Sequence, residues 1–203
     1  PSATTVQSDT ILLISMMIDF KCFKIHGECS SIFVLRTNIY NNTINADDYG
    51  INLFGMSFSM ITGNIGNQGV FIWQPWRIDW TTVKIDHTNL VDGKPIACLI
   101  GANHLIVPSE AGQVILIECD AITVSGLNVS CNYPILLFNL TNCNILQNTM
   151  RCSYGGLSLY NSSRTTISNN LLVISNPNSL YNLLLGLGAK FNLTLCQRQI
   201  IEF

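Results

Sequence analysis

Asp47 and Asp48 are the closest approach in this chain to a carboxylate pair that could serve as general acid and base on a sugar ring. Neighbouring residues on an extended strand point to opposite faces, and the surrounding DDYG reads as a plain turn, so chemistry that needs converging carboxylates is not expected there. A soft ligand set for copper(I) can be assembled from Met16, Met17, Cys22, His26 and Cys29, because thioether, thiolate and imidazole suit that ion. The C-x3-H-x2-C spacing matches no established metal motif, and the paired methionines fit a strand entering a core equally well. No metal is assigned. A Cys–His pair also suggests a thiol nucleophile, but no third group is placed to orient one. His87 and His104 are isolated, and Asp79, Asp86, Asp92 and Glu110 with Lys84 and Lys94 read as exposed ion pairs of small value. Neither catalysis nor a cofactor is expected.

Binding and covalent chemistry have other candidates. Trp73, Trp76 and Trp80 read either as a sugar-stacking platform or interface anchor, or as a local core. N-x-S/T sequons begin at Asn41, Asn128, Asn139, Asn161 and Asn192, which makes these residues glycan acceptors in an exported chain, although sequons arise by chance in a composition this rich in Asn, Ser and Thr. Eight cysteines (Cys22, Cys29, Cys98, Cys119, Cys131, Cys143, Cys152, Cys196) without a C-x-x-C favour disulfides over zinc, and with them an oxidising, extracytoplasmic location. Buried thiols are the alternative, since cysteine is among the most buried residue types.

The elements that must position these groups follow from composition and spacing. At 203 residues the chain fits one domain, 1–203. Hydrophobic residues make up 48% and charged ones 11%, while asparagine occurs 22 times, so the surface is expected to be built from uncharged polar groups. A net charge of −2 without a basic cluster argues against nucleic acid as a partner. The runs ILLISMMI and LLLGLG fall far short of the roughly 20 apolar residues of a membrane-spanning helix, so no transmembrane segment is expected. A start at Pro1 with no basic segment before an apolar one reads as a mature chain or a fragment, with any export signal already removed.

Segments of about 21 residues repeat. VILIECDAITVSGLNVSCNY, PILLFNLTNCNILQNTMRCSY and GGLSLYNSSRTTISNNLLVISNPN share an apolar alternation, a polar corner, a second alternation and another corner, and the N-terminal half repeats the plan from ILLISMMIDFKCFKIHGECS onward. Short period-2 strands in units this small define an all-β parallel β-helix (β-solenoid) of about 21–24 residues per coil. Parallel coils lie about 4.8 Å apart, so equivalent residues stack into files: apolar inside, asparagine at the corners, bonding the bent backbone and the next asparagine. The register puts Cys131 and Cys152 one coil apart, near disulfide spacing, and leaves the other cysteines free to bridge neighbouring subunits. The interval 73–113 breaks the rhythm and reads as an irregular insertion with a turn at Asp92-Gly93.

NIYNNTINADDYGINLFGMSFSMITGN and ITVSGLNVSCNYPILLFNLTNCNILQNTM resemble the NosD-type (CASH) parallel β-helix repeats, and HTNLVDGKPI followed by AGQVILIECDAITVSGLNV is similar to a segment recurrent in surface proteins of methanogenic archaea. The resemblance covers about residues 32–175. It implies a right-handed β-helix, exported and commonly part of a cell envelope or surface layer. The high cysteine and low charge content depart from such repeats and point to a cross-linked, tightly packed material. The Asn-Thr-Asp and Gly-His-Gly signatures of pectinolytic β-helices are absent.

The resulting expectation is a structural, self-assembling sheath or surface-layer protein, extracellular, whose partner is itself. Strands begin by residue 11 and the chain stays apolar through LTLCQRQIIEF, so uncapped end coils are expected to pair head to tail. The alternative is a module that binds cell-surface glycans or another partner through the tryptophan-bearing insertion. A polysaccharide-active enzyme is the third.

Overall fold

The computed structural model describes residues 4–7, 13–15, 18–21, 23–26, 32–34, 37–46, 50–54, 57–73, 78–153, 155–175, 183–185, 191–194 and 197–199, with side chains over 38–46, 50–53, 57–72, 78–153 and 155–175. Every regular element among them is a β-strand, and the chain divides into two compact units, Pro1–Ile96 and Ala97–Phe203.

In the first unit β1 (Thr4–Gln7) precedes four coils of three strands each. These are β2 (Leu13–Ser15), β3 (Ile18–Lys21) and β4 (Phe23–His26), then β5 (Ile32–Val34), β6 (Thr37–Tyr40) and β7 (Thr43–Asn45). They continue with β8 (Ile51–Phe54), β9 (Ser59–Thr62) and β10 (Ile65–Gly66), then β11 (Val70–Trp73), β12 (Val83–Ile85) and β13 (Leu90–Val91). Each strand pairs in parallel with its counterpart one coil away, which builds the walls β2-β5-β8-β11, β3-β6-β9-β12 and β1-β4-β7-β10-β13. Stacking residues are 22 apart from Asn42 to Asn64 and 25 apart from Asn64 to Asn89.

The chain then reverses. Asp92 (φ 48°) and Gly93 (φ 74°) form a two-residue turn with both residues left-handed, so β14 (Lys94–Ile100) runs antiparallel to β13, pairing Leu90 with Pro95 and Val91 with Lys94. Only this hairpin departs from parallel pairing among the register pairs of the first unit. The irregularity expected at 73–113 is present as this hairpin, while within the same interval β12 and β13 are solenoid strands paired with β9 and β10. Trp80 at 6% exposure and Ile78 at 7% lie buried in the longer corner that leads into β12, which is why the sequence rhythm stretches there.

In the second unit β15 (Ile106–Val107) precedes β16 (Gln113–Ile117), β17 (Thr123–Ser125) and β18 (Asn128–Ser130), then β19 (Ile135–Phe138), β20 (Asn144–Leu146) and β21 (Thr149–Cys152). The next coils are β22 (Leu157–Tyr160), β23 (Thr165–Ser168) and β24 (Leu171–Ile174), then β25 (Leu183–Leu185), β26 (Phe191–Thr194) and β27 (Gln197–Gln199). The walls are β16-β19-β22-β25, β15-β17-β20-β23-β26 and β18-β21-β24-β27, all parallel.

Val114, Leu116, Ile135, Leu137, Leu157 and Leu159 of the first of these walls close on Val124, Ile145, Ile167, Val129, Met150 and Leu172 of the other two to form one core. Strands β17, β18, β20 and β23 alternate in burial as a one-sided strand should. The first wall does not alternate. All five residues of β16 and all four of β19 are buried, with Ile115, Ile117 and Leu136 at 0% on the face opposite the core. VILI and ILLF are continuous apolar runs, the signature of a strand covered on both faces.

Corners repeat as faithfully as strands. Glu118, Asn139 and Asn161 occupy one corner file with φ of 54°, 55° and 45°; Ala121, Asn142 and Arg164 occupy a second with 52°, 52° and 50°; Gly126, Gln147 and Asn169 a third with 72°, 55° and 56°. A left-handed non-glycine residue costs roughly 1 kcal/mol. Here its N–H donates to the next coil, as Asn139 does to Tyr160 O at 3.0 Å and Ala121 to Thr141 O at 3.0 Å, so the register that builds the walls also holds the corners.

Candidate functional site

Polar side chains gather in two places: inside the corners and along their outer rim. Inside, Asn42 donates to Asn64 Oδ1 from its backbone N (3.1 Å) and its Nδ2 (2.9 Å), and Asn64 does the same to Asn89 Oδ1 at 3.2 and 2.9 Å. The amides also tie down corner carbonyls, with Asn64 Nδ2 on Ile39 O at 2.9 Å and Asn89 Nδ2 on Ile61 O at 2.7 Å. The second unit rebuilds the same device: Asn148 donates from N and Nδ2 to Asn170 Oδ1, both at 2.9 Å, and Asn170 Nδ2 reaches Ile145 O at 2.8 Å. Leu127 N uses Asn148 Oδ1 at 3.0 Å, so the file ends where a leucine replaces the asparagine. Burial of these amides, at 1–3% exposure, is tolerable because their polar atoms are met.

On the rim, Asn103, Asp120, Thr141 and Ser163 stack in parallel register. Asp120 accepts from Thr141 Oγ1 at 2.7 Å and from Asn142 Nδ2 at 2.8 Å. These two bonds, with help from the charge of His104, hold its carboxyl below the ordinary range. In the first unit, burial pushes Asp86 upward, but hydrogen bonds from the Thr88 and Thr62 hydroxyls and the Thr88 N–H, with the Lys84 charge, outweigh it and leave the carboxyl lowered. A general acid needs the opposite shift. Both carboxylates act as turn caps, and Thr88 extends the cap to Gly63 N at 2.8 Å. The repeat contained the signal for Asp120: aligning CDAI, LTNC and SSRT brings it beside Thr141 and Ser163.

The cysteines are reordered by the structure. Cys119, Cys143 and Cys152 are thiols at 1%, 0% and 7% exposure, and Cys98 is a partly buried thiol. The expected Cys131–Cys152 bond is not formed. The two residues do sit one coil apart, but Cys131 Sγ approaches Gly112 O at 3.7 Å while Cys152 Sγ approaches Val173 O at 3.9 Å, so their sulfurs turn toward opposite neighbouring coils. Burial pushes the Cys152 thiol up to about 12, and burial with the nearby Cys119 sulfur does the same for Cys98. Cys119 and Cys143 are raised by the same loss of solvent. Such thiols are inert nucleophiles.

Trp80, read either as a stacking surface or as part of a local core, is buried. Trp76, Asp47, Asp48, Met16, Met17, Cys22, Cys29 and Cys196 lie outside the described residues, as do the side chains of Trp73, His26 and Asn192. Asn41, Asn128, Asn139 and Asn161 are all exposed. Among the described residues no group of three or more His, Cys, Asp or Glu side chains is arranged to hold a metal ion, and no helix is long and apolar enough to cross a membrane.

The chain matches no protein-family model, no curated protein and no solved structure. The class it belongs to is therefore stated by architecture: a parallel β-solenoid with three strands per coil.

Proposed function

We propose that the chain is a structural protein, a NosD-like β-solenoid exported to a cell envelope, sheath or surface layer, where copies associate with one another. The observation that carries this reading is the asparagine file, in which Asn42, Asn64 and Asn89 satisfy one another coil by coil. Polar side chains engaged in such files stiffen the stack of coils and do not converge on a ligand. The outer surface supports the same reading: charged residues are 11% of the chain, and Phe58, Leu105 and Ile106 stand 59%, 48% and 75% exposed, so little repulsion separates two copies and apolar area is gained when they meet. Strand pairing and surface contact carry the association. Cys119, Cys131, Cys143 and Cys152 are too deeply buried to bridge subunits. Sedimentation velocity over a concentration series tests the proposal; growing oligomers are expected, and a monomer unchanged at the highest concentration overturns it.

A further inference from the structure

Four of the sequon asparagines, Asn41, Asn128, Asn139 and Asn161, share one geometry. In 41–43, 128–130 and 139–141 the asparagine and the hydroxyl residue are exposed and the residue between them is buried; in 161–163 the same order holds, with Ser163 partly exposed. Each of these four sequons therefore turns its acceptor amide and its hydroxyl toward solvent together. Asparagines that begin no sequon are found both in the interior, as Asn64, Asn89, Asn148 and Asn170 are, and on the surface, as Asn45 and Asn169 are. Asn139 and Asn161 are further distinguished. They stack one coil apart in the same left-handed corner file, and Asn161 Nδ2 donates to Asn139 Oδ1 at 2.8 Å. Asn139 Nδ2 makes no hydrogen bond to any described residue, so it is the open nitrogen of the pair.

We propose that the folded chain is an acceptor for N-linked oligosaccharide, that Asn139 carries the glycan, and that Asn161 remains unmodified; the biological setting rests on the export assigned above. In the transfer, Asn139 Nδ2 forms a bond to the anomeric carbon of a polyprenyl-diphosphate-linked oligosaccharide. The bond from that carbon to the diphosphate oxygen breaks, polyprenyl diphosphate leaves, and the amide nitrogen gives one proton to the transferase base. A second glycan on Asn161 is excluded because coils are only ~4.8 Å apart, about the width of one sugar ring, and because the Asn161 amide is engaged.

The test is incubation of the folded 203-residue chain with a purified single-subunit oligosaccharyltransferase and its lipid-linked oligosaccharide, read by intact mass and by site-resolved peptide mapping. Modification is expected at Asn139, lost in Asn139→Gln and Thr141→Ala, and kept in Thr141→Ser and Asn161→Gln. Asp120→Ala, which removes the acceptor of the Thr141 hydroxyl but keeps the sequon, should also keep the modification and so separates sequon loss from loss of that bond. An unmodified Asn139, or equal modification of Asn161, overturns the inference. An unglycosylated chain that still assembles defeats only this inference, and a glycosylated chain that stays monomeric supports it while defeating the assembly reading.

Discussion

Replacing Asn64 by alanine removes acceptors from Asn42 and donors to Asn89 and Ile39 at once, leaving several buried polar atoms unmet. A stability loss of at least ~1–3 kcal/mol is expected, read as a lowered urea midpoint, whereas the same change at exposed Asn45 should move the midpoint little. Asp86 and Asp120 carry the pH dependence. Their folded carboxyls are lowered, so the stability they contribute is present above the unfolded value of about 4 and is lost as pH falls through the folded one. Thermal melts should drop below about pH 4, and Asp86→Asn should flatten part of that slope. Thiols have the opposite sign: Cys98 and Cys152, pushed up to about 12, stabilise the fold below the unfolded value of about 8.5 and cease to as pH climbs toward 12. At pH 8 the native chain should leave Cys119, Cys143 and Cys152 unlabelled by a disulfide reagent that labels them all after unfolding.

A single strand tells how far the pattern could be read in advance. Leu116 of β16 has 0% exposure and belongs to the second unit's core, so Leu116→Ala should cost about 2–5 kcal/mol in urea unfolding. That β16, β19 and β22 stack was legible, because VILIECD, PILLFNLTN and LSLYNSS align at the coil length and parallel stacking turns alignment into contact. That this wall is buried on both faces was hidden by reading VILI as an alternation, although an unbroken apolar run carries that meaning. The Asp92-Gly93 turn was legible from turn chemistry, but not the return of β12 and β13 to the walls, since the longer corner around Trp80 disguised their phase. A file position was readable for Cys131 and Cys152. The direction of each sulfur was not, because it depends on which neighbouring carbonyl offers an acceptor. Tyr133 and Gly155 fell on the repeat as well, and the structure supplies their reason: a Cβ at Gly155 would collide with the Tyr133 ring.

Across each unit, one translation from coil to coil sets the β-ladders, the left-handed corners and the asparagine files, so an error in register would break all three together. This agreement among features set by one repeat is what makes a solenoid stiff, and stiffness in a chain only 11% charged suits the proposed load-bearing layer better than a site that must adapt to a ligand. Diffraction from oriented assemblies of the full chain joins the fold to that role. Ordered material with a strong reflection at the ~4.8 Å coil spacing is expected; concentrated protein that stays dispersed, or assembles without that spacing, would contradict the proposal.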